Sequence, residues 1–342
     1  MPRFLLSVGL ATLGMIVVAL AVVPASAQTA PDFTVARTPW GDPDLQGTYT
    51  SDDYIGTRLE RNPDLGDRLF LTNEEISERD NQLESRATRD SVEFSDPEGR
   101  VGTGPPGHWG ERGRRPPAQT SLLIDPSDGR LPPLTALGEE RRDWARLNRQ
   151  GAGSDRPTAS WENYTYYIRC ITRGPAGSIL PVIYGNGTRI VQSPGYVAIQ
   201  YEMVHEAKII PLDGKPHVGE DIKSYMGDSV GWWDGDTLVV HTTNIFDLGT
   251  GLGGNGGGTP LSDAARMTER FTRTGADTIQ YEVTVDAPKT YARPFTASFP
   301  IREEPDYEVF EYACHEGNYG MVNQLSASRA VDRGEATAND VD

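Results

Sequence analysis

The stretch that decides the fold runs from residue 196 to residue 210 and reads YVAIQYEMVHEAKII. In an extended strand every second residue lies on the same face. One face takes Val197, Ile199, Tyr201, Met203, His205, Ala207 and Ile209. The other takes Gln200, Glu202, Glu206 and Lys208. An apolar face opposite a charged face is typical of a half-buried antiparallel strand, so the imidazole of His205 is predicted to point inward.

Shorter runs with the same period of two follow along the second half of the chain. Asp234-Gly235 is the strongest hairpin signal, because it tolerates the positive φ angles of a two-residue turn. Strands joined by short turns predict a mainly β fold, an antiparallel meander closed into a calycin-like barrel or a strongly bent sheet. The predicted strands are 120–124, 190–192, 196–210, 229–233, 236–243, 268–273, 278–285, 295–299 and 307–313.

The chain before residue 120 has little regular periodicity. Residues 28–120 are predicted to be an irregular arm that wraps a single β-rich domain of residues 121–330. Proline and glycine argue against a long helix or a central strand in residues 38–47. Residues 331–342 are predicted to form a disordered tail.

Two segments carry helix start signals. Thr72 and Glu75 have the spacing of a capping box, which predicts a helix to about Arg89. Thr135 is placed to cap a second helix that ends at Asn148. The fold should therefore add one or two helices to the sheet.

Residues 1–27 have the organisation of a secretory signal. Arg3 precedes an apolar run from Phe4 to Val23, and Ala25-Ser26-Ala27 supplies a small-residue cleavage site. The run is long enough to anchor in a bilayer if uncleaved, but Pro24 and the cleavage site favour removal. No later stretch is as long and apolar, so the mature protein is predicted to be soluble and either periplasmic or secreted.

Charge and cysteine content narrow the partners. A formal net charge of −17 argues against nucleic acid and against anionic membrane surfaces. The expected partner is a small molecule or a carbohydrate. Cys170 and Cys314 are the two cysteines. In an exported protein an even number predicts a disulfide, and two buried free thiols are the alternative.

A polar site is predicted around two histidines. His205, on the apolar strand face, either bonds a carbonyl in the core or lines a cavity as an acid, base or ligand. His315 directly follows Cys314, and a disulfide there would hold its loop near the sheet; a solvated turn is the alternative. The predicted catalytic residues are Tyr201, His205, His315, Glu316 and Tyr319, and the predicted substrate-binding residues are Arg169, Asn318 and Trp233.

Aromatic residues supply candidates for ligand contact. Tyr164, Tyr166 and Tyr167 precede Arg169. They either pack in the core or form a stacking platform for a ring or sugar, with Arg169 as the contact for an anion. Trp232 and Trp233 lie on opposite faces of their strand, so at most one of them faces the interior.

Metal and serine-hydrolase motifs are incomplete. His205-Glu206 and His315-Glu316 begin like a zincin motif, but neither has a second histidine four residues later. A metal held by both histidines and a carboxylate stays open. The G-x-S-x-G string at 227–231 precedes a hairpin, whereas a nucleophile elbow needs a helix there. No cofactor is signalled.

Five motifs spread over the chain are specific: RCITRG at 169–174, IVQSPGY at 190–196, YEMVHE at 201–206, MGDSVGWWDGDTLVV at 226–240 and YACHEGNYG at 312–320. They resemble a widespread family of exported proteins from environmental bacteria. The resemblance implies export and a shared fold, and it carries no catalytic assignment. It also implies an acidic residue where this chain has His241 and a basic one where it has Trp232.

Two functions are predicted from these features. The first is a cofactor-independent lyase, hydratase or hydrolase that uses histidine and Glu316 for acid–base chemistry on a small organic or carbohydrate substrate. The second is a periplasmic carrier that holds an apolar or aromatic ligand inside the barrel. An enzyme requires His205 close to His315 or Glu316, whereas a carrier requires an apolar cavity.

Overall fold

The computed structural model of the protein describes residues 33–93, 110–115, 117–148, 160–212, 214–247, 250–253 and 258–335. The predicted signal at residues 1–27 lies outside these ranges, as do residues 336–342 of the predicted tail. None of the helices within these ranges is long and apolar enough to cross a bilayer.

Within the described ranges ten strands form one antiparallel sheet that nearly closes into a barrel, which confirms the predicted fold class. The strands are β1 Gly47–Thr50, β2 Leu123–Asp125, β3 Thr188–Ser193, β4 Tyr196–Tyr201, β5 Ala207–Pro211, β6 Asp228–Asp234, β7 Thr237–Thr243, β8 Arg266–Gly275, β9 Thr278–Asp286 and β10 Phe295–Glu303. Their order is β5-β4-β3-β1-β10-β9-β8-β7-β6, and β2 pairs with β10.

The two edge strands, β5 and β6, come together at a glycine. A Cβ atom on Gly231 would lie 2.7 Å from Cγ2 of Ile210 and 3.0 Å from Cδ2 of Leu212. Contacts below 3 Å are too short for a real Cβ, so a side chain here would push the edges apart. Gly231 therefore allows the sheet to approach closure.

The predicted N-terminal arm contributes a strand to the centre of the sheet. Strand β1 lies between β3 and β10, pairing Tyr49 with Thr188 on one side and with Glu303 on the other. Tyr49 is completely buried. The expectation of no central strand in residues 38–47 is wrong only at Gly47, where β1 begins, and the other residues of β1 lie beyond that segment.

The predicted strand of residues 196–210 is a hairpin, so the prediction of one continuous strand is wrong. Tyr201 N donates to Glu206 O at 2.8 Å, which closes a four-residue turn. Val204 and His205 have positive φ angles of 63° and 48°. Before the turn the odd-numbered side chains face inward, and after it Lys208 and Ile210 do. His205 is therefore exposed, and Ala207 and Ile209 point outward.

The described residues include four helices: α1 Asn73–Glu93, α2 Ala136–Asn148, α3 Cys314–Gly317 and α4 Tyr319–Asp332. The first two confirm the predicted capping signals. Thr72 Oγ1 accepts from Glu75 N at 3.3 Å, and Thr135 Oγ1 accepts from Gly138 N at 3.0 Å.

The last predicted strand, residues 307–313, is wrong. These residues follow an irregular path, and Tyr307 turns its hydroxyl to the carboxylate of Glu202 at 2.7 Å. Phe310 is 66% exposed. The chain here leaves the sheet and leads into α3 and α4, which were not predicted.

The barrel interior holds a packed core that includes a buried ion pair. Phe271, Tyr281 and Phe299 are completely buried and pack ring against ring, with centroids 5.0 and 5.3 Å apart. Among them Lys208 Nζ bonds the carboxylate of Glu269, and it also donates to Pro175 O at 2.9 Å. Tyr281 donates to the other oxygen of Glu269 at 3.0 Å. Packed side chains thus occupy this part of the barrel interior.

Removing one member of this ion pair should destabilise the fold strongly. Glu269→Gln leaves the ammonium of Lys208, which is 1% exposed, without a counter-charge. The free energy of unfolding should fall by about 3–5 kcal/mol in urea denaturation. The matched control is Arg270→Gln, which breaks an exposed pair with Asp234 and should cost less than about 1 kcal/mol. Equal losses in the two variants would contradict the buried pairing.

Candidate functional site

A cleft lined by aromatic side chains lies outside the barrel. Its volume is about 270 Å³. Part of its wall is a short 3-10 turn at Trp161–Asn163. Ser160 caps this turn, and its hydroxyl accepts a hydrogen bond from Glu162 N at 3.1 Å. The lining residues are Trp144, Trp161, Glu162, Tyr164, Tyr166, Arg169 and Tyr225.

Arg169 lies against the aromatic rings of this cleft. Its guanidinium carbon is 4.5 Å from the ring centroid of Trp161 and 5.5 Å from that of Tyr166. Such cation–π contacts hold a guanidinium in place without neutralising it. Among the described residues no carboxylate forms an ion pair with Arg169. The cleft therefore presents the positive charge of Arg169 beside ring faces, with the carboxylate of Glu162 also in its wall.

The aromatic surface continues from Arg169 onto the segment between β5 and β6. The ring of Tyr166 is 5.1 Å from that of Tyr225, which is 5.0 Å from that of Phe246. Trp161 is 51% exposed and Tyr225 is 38% exposed. Exposed aromatic faces in a row offer stacking area to a ring-shaped ligand.

The residues next to Arg169 contact the C-terminal helices α3 and α4. Cys170 and Cys314 lie at disulfide distance, with Cα atoms 5.7 Å apart, which supports the predicted pairing. Asn318 Nδ2 donates to Ile168 O at 2.7 Å. Asn318 thus holds the backbone next to Arg169, and its amide is engaged by the protein itself.

The structure brings the two predicted histidines together, but on the surface. The imidazole centroids of His205 and His315 are 6.3 Å apart, and His205 Nδ1 lies 3.4 Å from Tyr312 O. Both side chains are exposed, as is Glu316. Tyr319 is 72% exposed. No enclosing wall surrounds this pair among the described residues.

Tyr201 and Trp233 do not join the histidines. Tyr201 is 1% exposed and faces the barrel interior, where burial raises the pKa of its hydroxyl. Trp233 is half-buried and packs against the core, while Trp232 is 47% exposed. The predicted site residues therefore lie in three places: the barrel interior, the outer histidine pair and the aromatic cleft.

A group of carboxylates lies near the end of β1. Asn186 Nδ2 donates to Asp52 at 2.8 Å and to Glu111 at 3.3 Å. Gly185 N donates to Glu111 at 2.9 Å. Burial, together with the neighbouring Glu111, raises the pKa of Asp52 to about 7. Sequence reasoning missed this group because its members are far apart along the chain.

Asp52 should make stability depend on pH. The folded state binds this proton more tightly than the unfolded chain between about pH 4 and the folded pKa of about 7, so the free energy of unfolding should fall as pH rises through that window. Asp52→Asn should remove the fall and be on the order of 2 kcal/mol more stable than the parent at pH 8. Urea titrations between pH 4 and 8 measure this. Asp64→Asn, at an exposed carboxylate, is the control, and an unchanged slope in Asp52→Asn would contradict the assignment.

Within the described ranges no group of three or more histidine, cysteine, aspartate or glutamate side chains has an arrangement that could hold a metal ion. Comparison with protein-family models found no match, and neither did searches among curated proteins and among solved structures. The resemblance to exported proteins of environmental bacteria stays a prediction.

Proposed function

We propose that the protein is an exported binding protein that takes a sugar ring carrying a carboxylate into the aromatic cleft. The observation that carries the proposal is the position of Arg169, a cation held between the rings of Trp161 and Tyr166 with no acidic partner among the described residues. Export is proposed from the signal-like residues 1–27, and the disulfide-distance cysteines are compatible with an oxidising compartment.

Each lining group matches one part of such a ligand. The apolar face of a sugar ring stacks on an exposed aromatic ring such as Trp161. A guanidinium binds a carboxylate through paired, charge-assisted hydrogen bonds. The carboxylate of Glu162, also in the cleft wall, accepts hydrogen bonds from sugar hydroxyls. A neutral or a basic ring would leave Arg169 without its counter-charge.

The packing of the barrel favours this outer cleft over the interior for binding. Aromatic rings and the pair of Lys208 with Glu269 occupy the inside. The alternative of a carrier with its ligand inside the barrel would require these groups to move. The lyase, hydratase or hydrolase activity predicted from His205, His315 and Glu316 stays a prediction.

Binding should depend on the charge of Arg169 and on the ring of Trp161. We expect the protein to bind glucuronate more tightly than glucose in isothermal titration calorimetry. Arg169→Gln should weaken glucuronate binding by about 10- to 100-fold, the loss expected for a charge-assisted hydrogen bond, and leave glucose binding unchanged. Trp161→Ala should weaken the binding of both sugars, because the stacking face is lost.

Two controls separate these effects from general damage. Arg270→Gln and Trp232→Ala change an exposed arginine and an exposed tryptophan outside the cleft, and both should bind glucuronate like the parent protein. Benzoate tests the ring class. If benzoate binds as tightly as glucuronate, the ligand class is an aromatic acid and not a sugar acid. Equal affinities of the parent protein and Arg169→Gln for glucuronate would overturn the proposal.

A further inference from the structure

Two histidines and an aspartate form a hydrogen-bonded chain on the outer face of the sheet. His217 Nδ1 lies 2.6 Å from Oδ2 of Asp228, and His217 Nε2 lies 2.9 Å from Nδ1 of His241. The two rings meet edge to face, with centroids 5.1 Å apart. None of the three residues belongs to the aromatic cleft.

Rigid elements hold the members of this chain. Asp228 begins β6, and His241 lies on β7, where it alternates with the inward-facing Val240 and Thr242. His217 lies in the segment between β5 and β6. The side-chain amide of Asn244 donates to three backbone carbonyls of that segment, those of Val218, Gly219 and Ile222, at 3.0–3.2 Å. The imidazole of His217 is thereby fixed against its partners.

With both imidazoles neutral, the hydrogen bonds determine which nitrogen carries each proton. Oδ2 of Asp228 accepts from Val218 N at 3.2 Å, and a carboxylate has no proton to give, so His217 must donate from Nδ1. Neutral His217 then has a lone pair on Nε2 and accepts from His241 Nδ1. The remaining nitrogen of His241, Nε2, therefore carries a lone pair.

This arrangement allows a proton taken up by His241 to be relayed to His217. When Nε2 takes up a proton, the proton on Nδ1 passes to His217, and the positive charge comes to lie beside Asp228. Burial, together with His217 and Arg266, lowers the pKa of His241, so the lone pair is free at neutral pH. Charged groups on the neighbouring strands include Arg266 on β8, its cross-strand partner Asp286 on β9, and Arg270 on the same face of β8.

We propose that His241 is the general base of an ester-hydrolysing site on this outer face, with His217 and Asp228 as positioning residues and Arg266 as the cation that stabilises the oxyanion. The site is separate from the cleft of Arg169, so its failure would leave the binding proposal standing. The three residues are only partly buried, so the proposed substrate is an ester of a small carboxylic acid.

The reaction balances without a cofactor. Nε2 of His241 takes a proton from water while the water oxygen forms a bond to the acyl carbon, and the carbonyl electrons move to the oxygen beside Arg266. When the carbonyl re-forms, the bond to the alcohol oxygen breaks, and that oxygen leaves with the proton from the imidazolium. The products are a carboxylic acid and an alcohol, and His241 is neutral again.

The tautomers can be observed directly in the unmodified protein. Long-range ¹H–¹⁵N correlation spectra should show protons on Nδ1 of both His217 and His241 at pH 8, with an unprotonated Nε2 on His241. Asp228→Asn keeps an oxygen that accepts from His217 and Val218 but removes the charge, so the pH midpoint of the histidine pair should fall. A proton on Nε2 of His241 in the parent protein would overturn the assignment.

The rate of ester hydrolysis tests the chemistry. With p-nitrophenyl acetate at pH 7.5, His241→Gln should hydrolyse the ester at least about tenfold more slowly than the parent protein. The rate that remains in this variant is the contribution of other surface groups. Asp228→Asn should be slower by about tenfold, with its pH–rate profile shifted to lower pH. Asp234→Asn, the same change at the other end of β6, should match the parent. Equal rates for the parent and a folded His241→Gln would refute the proposal.

Discussion

The turn between β4 and β5 is the constraint on which the rest of the structure depends. Five residues, 202–206, join the two strands, and the left-handed backbone of Val204 and His205 reverses the chain. Because the turn changes which residues face inward, Lys208 enters the barrel and meets Glu269. The same turn brings the carboxylate of Glu206 close to Thr172, whose hydroxyl donates a hydrogen bond to it at 2.7 Å. Thr172 lies two residues after Cys170, which pairs with Cys314. One local reversal thus sets both the interior and the support of the cleft.

The core residues pack inside the barrel, and both proposed sites lie on its outside. The aromatic cleft and the chain of Asp228, His217 and His241 both use the segment that joins β5 to β6, which carries His217 near its start and Tyr225 near its end. Asn244 fixes the middle of that segment through three carbonyls. The segment that joins the two edge strands β5 and β6 therefore contributes residues to both proposed sites, and the strands hold it in place.

Sequence reasoning succeeded where the determining forces are local. Alternation located most strands, Asp234-Gly235 located the β6–β7 hairpin, and the Thr72 and Thr135 caps located two helices. It failed at residues 202–205, because the turn has no glycine, proline or asparagine and places a β-branched residue at positive φ. Arg169 and its neighbouring tyrosines were predicted either to pack in the core or to form a stacking platform, whereas Trp144 and Tyr225 reach the cleft only through tertiary packing. The pairing of His217 with His241 depends on strand register and on Asn244, neither of which a linear motif reveals.

The most direct measurement of this account is lysine labelling of the folded protein. Acetylation by a water-soluble reagent, followed by peptide mass spectrometry, should modify the exposed Lys215 rapidly and leave the buried Lys208 unmodified until the protein is unfolded. Continuous alternation through residues 196–210 would instead place Lys208 in solvent. Labelling of Lys208 as fast as that of Lys215 would contradict the reversed register and the buried pair with Glu269.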